Sequence, residues 1–394
     1  MKKALTLSLV LLGGVGLSGF SLGTKVLAHE TVVKAQPTSP DPSYRQTLES
    51  LQKIVPLTYN ESVQKLINSY AAQKSRFSKI LGLSKYYFPI YERIFKQMGV
   101  PDELKYISVV ESSLNPQATS WVGAAGPWQF IEPVGKLYGL TINETIDERR
   151  DPVLASQAAA KYLLNSYSMY HDWLLAIASY NCGHNNIRWA RENAGGGDLD
   201  YWAIRKYLPV ETQNYVPAFI ATVYIMNNAK KHGIRESDPG FNIFTNTIPV
   251  NRKISLLSIA RATDVSIDDL TLLNPAYKNL VLDGSPEAPK NLIIPELKSY
   301  IYTALCAEMK KTQAVEGELK LSYVIPPEEM AVNQIRVKTK YVPKDTAISY
   351  TVQDGDTLSS IAEKFNGTEE EIKVINKLKH SSVKSGMVLR IIEG

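Results

Sequence analysis

Apolar residues recur at helical spacing over two stretches ahead of residue 100. Val63, Leu66, Ile67 and Tyr70 predict one helix within 60–82, and Ile90, Ile94 and Phe95 predict a second within 86–98. Pro101-Asp102-Glu103 then reads as a helix start, with Pro in the first turn and acids at the positive end. That helix is expected to run to about Leu114, because Pro116 disfavours a helical Asn115. Leu104, Ile107, Glu111 and Leu114 fall on one stripe of it. Asp151-Pro152 starts a further helix over 153–170, and Asp172 caps the next, with Trp173 expected in the core. In the last third of the chain the pattern shifts to short helices between β-branched runs.

The stripe turns Glu111 the way the apolar side chains turn. Desolvation raises a carboxyl pKa, and the negative end of the helix pushes the same way. A carboxyl that keeps its proton near neutral pH is able to donate it to a leaving oxygen. The helix alone leaves two readings open: such a proton donor, or a structural Glu held by Ser112 or a backbone amide. The stretch that follows, Ser120 to Phe130, is a small-residue turn with two tryptophans, Trp121 and Trp128. Aromatic faces pack on the C–H face of sugars. Trp128 is therefore expected to serve both core and cleft.

Four blocks now come in order. They are Glu111-Ser112 with Ser120-Trp121-Val122-Gly123-Ala124-Ala125-Gly126-Pro127-Trp128-Gln129-Phe130; Tyr138-Gly139-Leu140 leading to Asp147-Glu148-Arg149-Arg150-Asp151-Pro152; Ala178-Ser179-Tyr180-Asn181-Cys182-Gly183; and Leu208-Pro209-Val210-Glu211-Thr212-Gln213-Asn214-Tyr215-Val216-Pro217. Together they resemble the membrane-bound lytic transglycosylases of the lysozyme-like superfamily, the kind with lysin-motif repeats at the C-terminus. The resemblance implies a mainly α lysozyme-like catalytic domain acting on peptidoglycan. It implies Glu111 as single acid/base, and Ser120 and Gln129 as sugar contacts near the cleaved bond. Tyr180 and Asn181 would line the cleft, with the Tyr hydroxyl near the acid, and Glu211 would be a structural or substrate contact. It also implies a reaction in which the substrate's own N-acetyl group replaces a second carboxylate, an exception to the usual two-carboxylate rule. Where relatives carry Met-Pro-x-Thr this chain has Ile131-Glu132-Pro133-Val134, so one subsite contact departs from the pattern. Asp147, Glu148 and Asp151 around Arg149 and Arg150 read as an ion-pair cluster. A lysozyme-type hydrolase and a non-catalytic wall-binding scaffold stay as alternatives.

Composition narrows the setting. Residues 1–28 carry Lys2-Lys3, an apolar stretch and Val26-Leu27-Ala28, which reads as a secretory signal. An uncleaved anchor, and with it membrane association, is the alternative. The formal charge of +5, lower still without Lys2, Lys3 and Lys25, does not argue for nucleic acid. Cys182 and Cys306 are expected as free thiols, the five His show no metal-ligand spacing, and neither cofactor nor metal is expected.

The last third holds an internal repeat. Leu256-Leu257-Ser258-Ile259-Ala260 aligns with Leu358-Ser359-Ser360-Ile361-Ala362, and each copy ends in a β-branched run. Tyr350-Thr351-Val352 with Gly355-Asp356-Thr357-Leu358 resembles the lysin motif, a small βααβ module that binds N-acetylglucosamine-containing glycans. That resemblance puts Gly355, Asp356, Thr357 and Leu358 on one side of a glycan groove. The first copy lacks the Gly-Asp-Thr turn. The expected order is signal 1–28, flexible segment 29–54, catalytic domain 55–240, degenerate module 241–297, linker 298–347 and lysin motif 348–394.

Overall fold

The computed structural model describes residues 41–311 and 347–392, apart from 366–368, 370, 371, 374, 375, 377 and 379. The signal at 1–28 and most of the linker at 298–347 lie outside the described residues. The described chain is a mainly helical body followed by two small mixed modules, as the patterning indicated.

The helical body starts earlier than expected. Helix α1 (Pro42–Leu51) falls inside the segment read as flexible. Asp41 accepts from Ser43 N, Pro42 fills the first turn, and Leu48 is buried, so a cap and one apolar anchor suffice there. Helix α2 (Glu61–Ala72) is capped by Asn60, whose side chain accepts from Val63 N. Helix α3 (Lys74–Met98) runs 25 residues without a break near Gly82. A Cβ on Gly82 would stand 2.3 Å from Ser237 O, so this glycine serves a close approach of backbone rather than a helix end.

The stretch after Pro101 begins as a 3-10 turn, Asp102–Lys105, and only then becomes α4 (Tyr106–Ser112). It stops short of Leu114 because Ser113 and Leu114 both adopt left-handed backbone, φ 56 and 67. Then come α5 (Glu132–Leu137), α6 (Pro152–Tyr170), α7 (Trp173–Cys182), α8 (His184–Asn193), α9 (Tyr201–Ile204) and α10 (Val210–Asn228). Asp151 and Asp172 cap α6 and α7 as expected, each accepting two backbone N–H bonds. Helix α10 is buried along most of its length and touches α2, α4 and α7. It is the post against which the α4 carboxyl is held.

The first module has strands β1 (Thr245–Val250) and β2 (Lys253–Ser255), helices α11 (Leu256–Thr263) and α12 (Ile267–Leu273), then β3 (Val281–Asp283) and β4 (Lys290–Pro295). Strand β1 pairs antiparallel with β4, Ile248 opposite Leu292. Helix α13 (Ser299–Lys310) follows, with Leu305 buried among Leu256, Leu292 and Ile294. Residues read as the start of a linker are therefore the last wall of this module's core. Backbone bonds tie it to the helical body: Asp147 N to Ala276 O at 2.8 Å and Lys278 N to Thr145 O at 3.0 Å. The second module pairs β5 (Ala347–Thr351) with β6 (Val388–Ile392), Tyr350 opposite Leu389, around α14 (Leu358–Lys364).

Candidate active site around Glu111

The turn 118–130 is built before the acid is. Ser108 Oγ and Ser112 Oγ, one helical turn apart on α4, both donate to Pro127 O at 2.9 Å. Tyr180 OH donates to Trp128 O at 2.8 Å, and Trp128 Nε1 donates to Ser156 Oγ at 2.8 Å. From behind, Arg149 donates to Gly123 O at 2.8 Å and Phe130 O at 3.1 Å while its guanidinium grips both oxygens of Asp147. Gly126 closes the turn with φ +82, in a spot where a Cβ would stand 1.7 Å from Arg149 O. The Asp147–Arg149–Arg150 cluster is thus the scaffold of the turn. Trp128 is wholly buried against Tyr91 and Phe95, so it belongs to the core and lends the cleft nothing but its carbonyl.

Glu111 sits on the last turn of α4, partly buried. Tyr215 OH, from α10, donates to its Oε1. Burial pushes the carboxyl up to about 8; the Tyr215 bond opposes that rise and the nearby Glu211 adds to it. Glu211 is itself raised by burial, with the Asn181 bond pulling the other way. Asn181 Nδ2 donates to Glu211 Oε1 at 3.4 Å, and its Oδ1 accepts from Thr212 Oγ1 at 2.6 Å. Helices α4, α7 and α10 therefore bring Glu111, Asn181, Glu211 and Tyr215 to one place.

Other expected residues are placed differently. Tyr180 stands near enough to Glu111 that burial and then the acid's charge raise its hydroxyl, but that hydroxyl donates to Trp128 O, and the hydrogen bond to the acid comes from Tyr215. Tyr215 stands four residues after Glu211, hence on the same face of α10, and that spacing was the available signal. Ser120 and Gln129 hold their own turn: Ser120 Oγ accepts from Ala124 N at 3.0 Å, and Gln129 Nε2 donates to Gly126 O at 2.8 Å. Cys182 and Cys306 are free, and burial pushes the Cys182 thiol up to about 12, which removes it as a nucleophile at neutral pH.

In the second module Gly355 takes φ +90. Asp356 Oδ2 accepts from Tyr350 OH at 2.7 Å and Gln353 N at 2.8 Å, which holds its carboxyl below the usual range. Thr357 and Ser360 form a reciprocal cap on α14. Leu358 is buried with Ile361 and Leu389, so it supports the turn from the core and is not a groove wall.

The Transglycosylase SLT domain family matches residues 89–202, the LysM-like domain of lytic transglycosylase MltD matches 244–311, and the LysM domain matches 350–391. Glu211 and Tyr215 lie past the first of these matches. The chain is 29% identical over 339 residues to membrane-bound lytic murein transglycosylase D of Escherichia coli, covering 85% of this chain and 70% of that one. It is 25% identical over 217 residues to membrane-bound lytic murein transglycosylase F of Photobacterium profundum, covering 52% and 39%. Among solved structures, the 70 kDa soluble lytic transglycosylase of Escherichia coli shares 23% identity over 39% of this chain and 26% of that one, with a TM-score of 0.32. The chain carries a transglycosylase SLT domain, with a LysM-like and a LysM module behind it.

Proposed function

We propose that this protein cleaves the β-1,4 bond between N-acetylmuramic acid and N-acetylglucosamine in peptidoglycan without water, leaving 1,6-anhydro-muramic ends. The observation that carries the reading is one carboxyl, Glu111, kept protonated by burial at neutral pH and aimed by a tyrosine from the facing helix. Glu111 gives its proton to the glycosidic oxygen as the C1–O bond breaks. The acetamido oxygen of the same muramic acid closes on C1 and stabilises the developing charge. The Glu111 carboxylate then takes the C6 hydroxyl proton, and O6 attacks C1, displacing the acetamido oxygen. Asn181 and Glu211 bind and orient the sugars beside the reacting bond, with Ser120 and Gln129 presenting the turn. The proposed division is a catalytic domain at 41–240, a LysM-like module at 241–311 and a LysM module at 348–394.

One observation favours a second reading. Glu211 is a second carboxyl close enough to raise the first, as a hydrolase would use to steer water. The released sugar ends separate the two: anhydro ends support the transglycosylase and hydrated reducing ends the hydrolase.

The likeness to membrane-bound murein transglycosylases, together with the expected signal at 1–28, supports action in the cell envelope on exported material. No helix among the described residues is long and apolar enough to cross a membrane.

Tyr215→Phe is expected to slow turnover roughly 10- to 100-fold, the worth of a hydrogen bond to a charged group. It also removes the bond that holds the Glu111 pKa down, so the alkaline limb of the pH–rate profile should move to higher pH. A limb that stays in place would mean that Tyr215 does not act on the acid.

Deleting 348–394 is expected to weaken binding to sacculi while leaving the rate on short soluble glycan largely intact, because a tethered module acts through effective concentration. Equal losses in both assays would contradict that division of labour.

A further inference from the structure

A cavity of about 400 Å³ opens where the starts of α7 and α9 meet the loop ahead of α2. Its walls include Ile54, Tyr167, Asp172, Trp173, Asp200 and Trp202. It shares no residue with the group around Glu111. Trp173 begins α7 whereas Tyr180 and Asn181 end it, so seven residues of helical rise set the two sites roughly 10 Å apart along that axis.

The walls are rigid and aromatic. Tyr167 and Trp173 stack with ring centroids 4.0 Å apart and planes 13° apart. Arg205 lies over the Trp202 ring at 5.8 Å and is itself fixed by Gln213 O and Ser62 Oγ. Trp202 Nε1 is buried with no hydrogen-bond partner. Asp172 and Asp200 each cap a helix through Oδ1, leaving Oδ2 outside the cap.

We propose that this cavity is a second glycan site, which seats one N-acetylhexosamine of a strand outside the catalytic cleft. The inference rests on the glycan-strand activity proposed above. The chemistry of the walls selects the ligand. Aromatic faces take the C–H face of a sugar ring, and carboxylate oxygens accept its hydroxyls. A cavity of a few hundred Å³ suits one small ring. Holding the strand at a second point raises its effective concentration at the cleft.

The test is a titration of the ¹⁵N-labelled full chain carrying Glu111→Gln with the soluble tetramer of N-acetylglucosamine. The chain has 5 Trp, hence five indole N–H signals, and Trp202→Phe identifies the one of interest. That signal is expected to move in a saturable manner. Ile54, 62% exposed on the rim, tolerates Ile54→Arg without loss of core. That variant should abolish the Trp202 shift and weaken sacculus binding roughly 5- to 10-fold, with the rate on short soluble peptidoglycan strands that contain muramic acid unchanged. A stationary Trp202 signal while that of Trp121 moves would overturn the second site and leave the proposed activity standing. A Trp202 shift that survives Ile54→Arg would overturn it as well. No moving signal, with no product from the unsubstituted chain, would remove both readings.

Discussion

Glu111→Gln is expected to lower product release from sacculi by about 10³-fold or more, because one group supplies both proton transfers. The fold should survive, since the amide keeps the shape and can still accept from Tyr215. Stability gives a second and independent signature. The Glu111 carboxyl is raised from 4.5 to about 8 in the folded chain, so the native state holds the proton more tightly than the unfolded one. That contribution is fully present below about 4.5 and is lost as pH rises through about 8. A glutamine suffers no such loss. At pH 9 the variant should therefore unfold later than the parent, by about 1 kcal/mol or more after discounting for partial exposure. At pH 4 the two should match. An activity loss with no pH-dependent gain in stability would mean that the carboxyl is not desolvated as described.

Gly126→Ala is expected to cost about 3 kcal/mol or more, lowering Tm by roughly 6 to 12 °C. Two penalties coincide: left-handed backbone at φ +82, and a methyl 1.7 Å from Arg149 O, which is main chain and cannot swing aside. Relief requires the turn to move away from Arg149. That movement shifts Pro127 O and Trp128 O, the acceptors for Ser108, Ser112 and Tyr180, so activity should fall roughly 100-fold along with stability. Gly123→Ala is the matched control. It has φ +80 but nothing within 4 Å of the added methyl, and should cost only about 1 kcal/mol. Thermal melts of the two variants that coincide would show that the approach to Arg149 is not what fixes the turn.

The parts of this molecule legible in the sequence are those written in short-range chemistry. Asp151-Pro152 and Asp172 predicted two helix starts because capping is a matter of two or three residues. Glu111 was found because a carboxyl on an apolar stripe is a local contradiction, and the two modules were found because their patterns repeat. What was missed depends on partners far away in the chain. Tyr215 meets Glu111 across 104 residues, and only the packing of α10 on α4 brings them together. Gly82 looked like a helix end because the approach of Ser237 to its face is a tertiary fact. Helix α13 looked like linker because its one deeply buried residue, Leu305, has a partner core that begins some fifty positions earlier. Trp128 looked half-functional because a tryptophan beside a glycine turn reads the same whether its ring faces sugar or Tyr91.

The most direct test of the central claim is mass spectrometry of the sugars released from purified sacculi by the full chain and by Glu111→Gln. Muropeptides ending in 1,6-anhydro-muramic acid are expected from the parent and none from the variant. Hydrated reducing ends from the parent, lost in the variant, would contradict it and make Glu211 the water-directing partner of a hydrolase.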